Sequence, residues 1–312
     1  MVPFRSISYP GLEAVVGRSL LPVLFCVACG YAQASAIYKF VDSKGVVNYT
    51  DRVTPGAKRL VFEDRMVESL AGQVRLNTQR SGNAVTYQAQ NDLYAPVRVE
   101  LRLAGLRNTA GLPLSTISRT IAPRSTVTLI TLAPAKPGTP ITGTPVFHYA
   151  LGDPATSPSA YRYPFPWVGG PFRISQGPNG RFSHNGARGR YAIDIAMPEG
   201  TPIIAARGGT VIKVENNQGA DSAQPSGNFV RVLHGDGTMG VYLHLMRGSI
   251  TVREGDKVMV GSPLGRSGNT GHSTGPHLHF VVQRNTGAGL ESIPYEFDSP
   301  IQALPNFAVG GQ

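Results

Sequence analysis

Gly275-Pro276-His277-Leu278-His279-Phe280-Val281-Val282 is the stretch on which the reading of this chain turns. A Gly-Pro turn signal followed by an apolar, β-rich run predicts a strand. On a strand, residues i and i+2 project from the same face, so His277 and His279 enter the same space. Two imidazoles side by side are costly in a packed interior without a partner, but they suit a divalent metal, for which neutral imidazole is a favoured ligand.

Working outward, six of the seven histidines fall after residue 180. Two further segments carry chemistry: Val241-Tyr242-Leu243-His244-Leu245, and Ser183-His184-Asn185-Gly186 followed by Tyr191-Ala192-Ile193-Asp194-Ile195-Ala196. A catalytic zinc site wants three protein ligands and one open position. His184, Asp194 and His279 supply two imidazoles and a carboxylate for it. His234 and His272 read as ordinary surface or strand histidines. No H-E-x-x-H helix is present, so proton transfer falls to a histidine rather than to a helix glutamate.

Gly (37) and Pro (25) are abundant among the 312 residues and only 15% are charged, which opposes long helices and favours short strands joined by turns. The expected class is therefore all-β. Val97, Val99, Leu101 and Leu103 alternate with Arg98, Glu100 and Arg102, and Val127, Leu129 and Thr131 repeat the pattern. Alternation of that kind buries one sheet face. With turn signals at Gly82-Asn83, Asn108 and Pro123, it predicts a β-sandwich-like unit over 66–157, ending in a Pro-rich stretch. No titratable cluster occurs there. A fragment starting near Ala160 is accordingly expected to keep the metal site.

The N-terminus reads as an export signal over 1–36. Arg5 and Arg18 precede the apolar run Leu20 to Cys29, and Ala34-Ser35-Ala36 supplies an A-x-A cleavage site. The run is shorter than the roughly 20 residues a bilayer span needs. Both cysteines, Cys26 and Cys29, fall inside it, so the mature chain is expected to be thiol-free. Next come Ile37-Tyr38-Lys39-Phe40-Val41, a Gly-ended loop, and Val46-Val47-Asn48-Tyr49-Thr50-Asp51, which predict a hairpin module over 37–65. This I-Y-K-F-V-D…G…Y-T-D pattern resembles a small module of unknown function found in exported proteobacterial proteins, which implies a Gram-negative envelope. The chain is basic, with 29 Lys plus Arg against 19 Asp plus Glu. That favours anionic surroundings, but the scattered basic residues form no nucleic-acid motif.

The three histidine-bearing segments resemble the signature motifs of the lysostaphin-type zinc metallopeptidases, the murein endopeptidases of bacterial cell walls. The resemblance runs from Tyr161 to Pro300 and includes Met197-Pro198-Glu199-Gly200-Thr201-Pro202 and the Gly-Asn-Thr-Gly of residues 268–271. One departure stands out: ten positions separate His184 from Asp194, where the shorter family form has four. The resemblance implies an antiparallel β-sheet groove over 158–312, floored by one zinc ion on His184, Asp194 and His279. It makes His244 and His277 unliganded active-site histidines that orient water and stabilise the oxyanion. The implied activity is cleavage of peptidoglycan stem peptides or cross-bridges in the periplasm or outside the cell, with other envelope proteins as further partners for residues 37–157. The alternative is a non-catalytic relative that activates a separate wall amidase; such relatives lose metal ligands, and this chain retains every one.

Overall fold

The computed structural model describes the backbone of Ile37–Val41, Val47–Thr50 and Lys58–Leu60, together with residues 72–111, 116–219 and 224–300. The expected export signal and both cysteines lie outside these residues. Among the described residues there is no helix, hence none long and apolar enough to cross a membrane.

Strands β1 (Ile37–Val41) and β2 (Val47–Thr50) pair antiparallel, with Val41 opposite Val47, as the hairpin reading predicts. A third strand, β3 (Lys58–Leu60), pairs with the other side of β1. Its sequence, Lys-Arg-Leu, is too short and too charged to announce a strand.

Strands β4 (Val74–Ser81), β5 (Ala84–Asn91), β6 (Val97–Arg107), β7 (Ile117–Ile121), β8 (Ser125–Leu132) and β9 (Thr142–Leu151) form two three-stranded sheets, ordered β4-β5-β8 and β7-β6-β9. Val97, Val99 and Leu101 are fully buried, whereas the intervening Arg98, Glu100 and Arg102 are not. On β8 the alternation breaks. Tyr87 opposes Ile130 and Gln88 opposes Thr128, so Leu129 is a bulged residue. A bulge reverses the alternation beyond it. Leu132 is therefore buried, and Thr131 turns outward to meet the Thr86 hydroxyl at 3.0 Å.

The remaining strands are β10 (Arg162–Tyr163), β11 (Arg173–Gln176), β12 (Ile193–Ala196), β13 (Pro202–Ile204), β14 (Gly209–Glu215), β15 (Asn228–Leu233), β16 (Met239–Leu245), β17 (Lys257–Val258), β18 (Pro263–Arg266), β19 (His277–Asn285), β20 (Leu290–Ser292) and β21 (Glu296–Phe297). Most build one antiparallel sheet, ordered β11-β12-β19-β16-β15-β14-β17, with β20 also paired to β19. Central β16 is buried at every residue. One face carries Ile193, Ile195, Leu278, Phe280, Tyr242 and Val230 into the main core. The opposite face carries a smaller cluster of Ala192, Phe229, Val241, Leu243 and Val281. By strand register, Asp194 and His279 share this second face at one end, and Met239 lies at the other.

That far end meets the sandwich. Ile212, Met239 and Leu290 belong to the apolar core built by Val74, Val85, Leu93, Val97 and their neighbours. Gly152 has φ +89°, and a Cβ there would approach Met239 Cε to 2.8 Å. Asn285 Nδ2 donates to Gly152 O (3.1 Å), Arg284 Nη2 to Thr156 O (3.0 Å), and Lys213 Nζ to Gln73 Oε1 (3.2 Å). The two units share apolar core residues, and a fragment starting near Ala160 would have to do without the sandwich's part of that core.

His234 also differs from its reading as an ordinary histidine. It is 3% exposed; its Nδ1–H donates to Gly208 O at 2.9 Å, and its Nε2 accepts the Gly240 N–H at 3.1 Å. Burial pushes its pKa down to about 4. Between pH 6.5 and 4 the unfolded chain binds a proton at this ring and the folded chain does not. Stability therefore falls as pH drops through that window, by about 3 kcal/mol in full. His234→Gln keeps a donor and an acceptor but cannot titrate. Urea unfolding of this variant is expected to show a shallower pH slope than wild type between pH 6.5 and 4.5, and equal slopes would refute the assignment.

Candidate metal centre

The centre is built on the pairing of β12 with β19, where Asp194 lies directly opposite His279. Directly opposed residues in an antiparallel pair bring their side chains together on one face. His277 follows the same face two residues earlier, opposite Ala196. The strand reading of the His277–Val282 stretch thus places both imidazoles where it predicts.

His244 reaches the same place by a different route. In a regular strand it would share the face of Tyr242, which is the main core. The register between β15 and β16 shifts here: Val230 opposes Tyr242 and Asn228 opposes Leu245, so Leu243 and His244 together face Phe229. This bulge carries a left-handed backbone at His244, φ +63°. A buried non-glycine residue held there is strained and needs its surroundings to fix it. The Thr270 carbonyl, accepting from Nδ1 at 2.8 Å, is one such fixture. The His244 ring centroid ends 4.6 Å from that of His277 and 5.9 Å from that of His279.

His184 comes from the glycine-rich loop between β11 and β12. Its ring is fully buried, and Nδ1–H donates to Gly177 O at 2.8 Å. That bond leaves the Nε2 lone pair facing inward. His184 Nε2 lies 3.2 Å from Asp194 Oδ1 and 3.3 Å from His279 Nδ1, and His279 Nδ1 lies 2.8 Å from the same carboxylate oxygen. Ligands spaced tetrahedrally at bonds of about 2.0–2.1 Å sit about 3.3–3.4 Å apart. Two of the three separations match and the third is shorter by a few tenths of an ångström. Asp194 Oδ1 is buried without a well-directed hydrogen bond. The donor set, two imidazole nitrogens and one carboxylate oxygen, fits a divalent ion.

Electrostatics point the same way. Burial would raise the Asp194 pKa, but the facing His184 and His279 outweigh it and hold the carboxyl well below its usual range. Burial lowers the His279 pKa, against the pull of Asp194. His184 is raised: Asp194 overcomes the desolvation of the ring and favours positive charge at this spot. Burial pushes His244 well down, and His277 and His279 add to the effect.

All five sequence-derived residues converge, whereas His272 is exposed and His234 serves the fold. The sequence reading missed the groups that hold them. Gln176 Nε2 donates to Asp194 Oδ2 at 2.9 Å. The Gly275 carbonyl accepts from His277 Nδ1 at 2.8 Å, with Ser273 Oγ at 3.0 Å. Backbone carbonyls leave no mark in a search for titratable residues. Gln176 was visible only as a polar residue beside Gly177-Pro178.

Residues 188–289 match Peptidase family M23, and residues 24–65 match a domain of unknown function, DUF4124. Asp194, His244, His277 and His279 lie within the matched range; His184 and Gln176 precede it. The chain is 39% identical over 127 residues to the peptidoglycan DD-endopeptidase ShyA of Vibrio cholerae, covering 40% of this chain and 26% of that protein. It is 37% identical over 98 residues to lysostaphin of Staphylococcus simulans, covering 31% and 18% respectively. The first such relatives are thus matched over about a quarter of their length. Among solved structures, the catalytic domain of the antimicrobial peptidase lysostaphin from Staphylococcus simulans is 32% identical, covering 38% of this chain and 79% of that one, with a TM-score of 0.28. Residues 188–289 are an M23 peptidase domain of lysostaphin type, preceded by a DUF4124 module.

Proposed function

We propose that this M23 domain is a zinc endopeptidase that hydrolyses peptide bonds in peptidoglycan stem peptides or cross-bridges, acting in the periplasm after export. The observation that carries the reading is the convergence of His184 Nε2, Asp194 Oδ1 and His279 Nδ1 beside two further histidines. Those three atoms would hold the ion. Three protein ligands leave a position open, as catalytic rather than structural zinc sites do. When bound, zinc supplies a Lewis acid for the scissile carbonyl and acidifies the attacking water.

The chain's own residues handle the protons. His244 and His277 each spend Nδ1–H on a backbone carbonyl, which leaves both Nε2 lone pairs free to accept. His277 Nε2 lies 3.8 Å from Asp194 Oδ1, at the edge of the centre. The two rings stand 4.6 Å apart, and burial, with His277 and His279 beside it, disfavours charge on His244. A ring that takes a proton from water can return it to the leaving amine. The basic character of the chain suits a carboxylate-rich wall.

Purified sacculi, digested with the full mature chain and analysed by mass, test the reading. The expected products carry cut peptides on intact glycan, and chelation abolishes their release. Release only when a wall amidase is added would instead support the activator alternative.

A further inference from the structure

We infer that Gln176 is a positioning residue for the metal centre, fixing which oxygen of Asp194 faces the ion and tying down the loop that delivers His184. The inference rests on the proposed ligand set. It concerns a residue outside the range matched to the family, so the local geometry alone supports it.

Gln176 ends β11 and lies opposite Asp194, just after an irregularity in the register. Its side chain is almost fully committed. Nε2 donates to Asp194 Oδ2 (2.9 Å) and to Ser183 Oγ (2.8 Å), while Oε1 accepts the Phe182 N–H (3.1 Å). One amide therefore joins the strand that carries one ligand to the two residues preceding another. Gln176 is 7% exposed, so these bonds are sheltered from competing water.

Two consequences follow. Because Oδ2 is claimed by the amide, Oδ1 is the oxygen turned towards His184 and His279. A carboxylate so clamped offers one oxygen in a fixed direction. The second consequence concerns the ten-position separation between His184 and Asp194. A long excursion costs closure entropy wherever its position must be defined. The Gln176 bonds to Phe182 and Ser183 fix the chain just before His184, while the Ala187 and Arg188 carbonyls beyond it accept from Ser292 N–H and Gln283 Nε2. Gly180 belongs to the same device: a Cβ there would fall on the aliphatic stem of Gln176. The space a side chain would fill at Gly180 holds the stem.

Hydrogen-bond partners of metal ligands typically change metal affinity by 10–100-fold when removed. The test is zinc affinity by chelator competition on the full chain, alongside the visible spectrum of its cobalt(II) form. Gln176→Met keeps the stem and deletes all three bonds; it is expected to weaken zinc binding 10–100-fold and to alter the cobalt spectrum. Gln176→Glu keeps an acceptor for Phe182 but faces Asp194 Oδ2 with an oxygen. A pure loop anchor would be rescued by Gln176→Glu, whereas a residue orienting Asp194 is not, so weakened binding is expected there too. Gly180→Ala, whose Cβ would crowd the stem and the amide of Gln176, should weaken zinc in the same direction by displacing that side chain. Wild-type affinity in Gln176→Met, or full rescue by Gln176→Glu, overturns the inference while leaving the ligand set intact. Failure of the unaltered chain to bind zinc overturns the ligand set, and the inference with it.

Discussion

His279→Ala is expected to lose its zinc and its peptide-cleaving activity together, whereas His277→Ala keeps its zinc and loses turnover by roughly 10²-fold or more. The two residues share a strand face, but their ring nitrogens sit differently. His279 Nδ1 lies 2.8 Å from Asp194 Oδ1 and 3.3 Å from His184 Nε2. Its loss leaves two ligands, too few to hold the ion against water. His277 Nε2 is 3.8 Å from the carboxylate and stands beside His244. Its loss removes a proton carrier and no ligand. Asp194→Ala should follow His279→Ala, and His244→Ala should follow His277→Ala. Elemental analysis and cleavage of a soluble wall peptide, on the same samples, read both quantities. If His277→Ala lost zinc and His279→Ala kept it, the roles would be exchanged. Wild-type behaviour in all four variants would refute the enzyme reading.

A fragment comprising residues 158–312 is expected to be severely destabilised. Its sheet lends Ile212, Met239 and Leu290 to the sandwich core. Re-exposing three such side chains costs about 1.5–3 kcal/mol each. The total is comparable to the whole stability of an ordinary domain, about 5–15 kcal/mol. Loss of the bonds from Asn285 to Gly152 and from Lys213 to Gln73 adds to it. Thermal unfolding by circular dichroism, fragment against full mature chain, checks this. Replacing the three side chains with Thr, Thr and Ser should improve the solubility of the fragment while destabilising the full chain. A fragment melting within a few degrees of the full chain would show that the shared core is dispensable.

What the sequence made legible follows from what each kind of pattern encodes. His277 and His279 could be placed together because a two-residue period has one outcome on a strand. Val97 to Leu101 revealed its buried face for the same reason. Thr131 misled because the extra residue at Leu129 leaves no trace in composition. Ile212, Met239 and Leu290 announced burial without saying against what, since an apolar side chain does not name its partner. Gln176 was silent for a chemical reason. It neither titrates nor binds metal, and its importance lies in the carboxylate opposite, a neighbour that exists only once β11 and β12 have paired.

The bulge at Leu243 and His244 makes this centre depend on how many residues the chain has there as well as on which ones they are. On the β15 side both residues stand against Phe229 alone. Deleting one residue between Tyr242 and Leu245 would restore plain alternation and leave a single side chain there to fill either the apolar cluster or the centre. No substitution at the remaining positions restores it, because what is lost is the extra backbone residue that makes the bulge. Length variation in β16 is therefore a more drastic change than most point replacements, and a relative that differs here by one residue would present a different active face even if every histidine were retained.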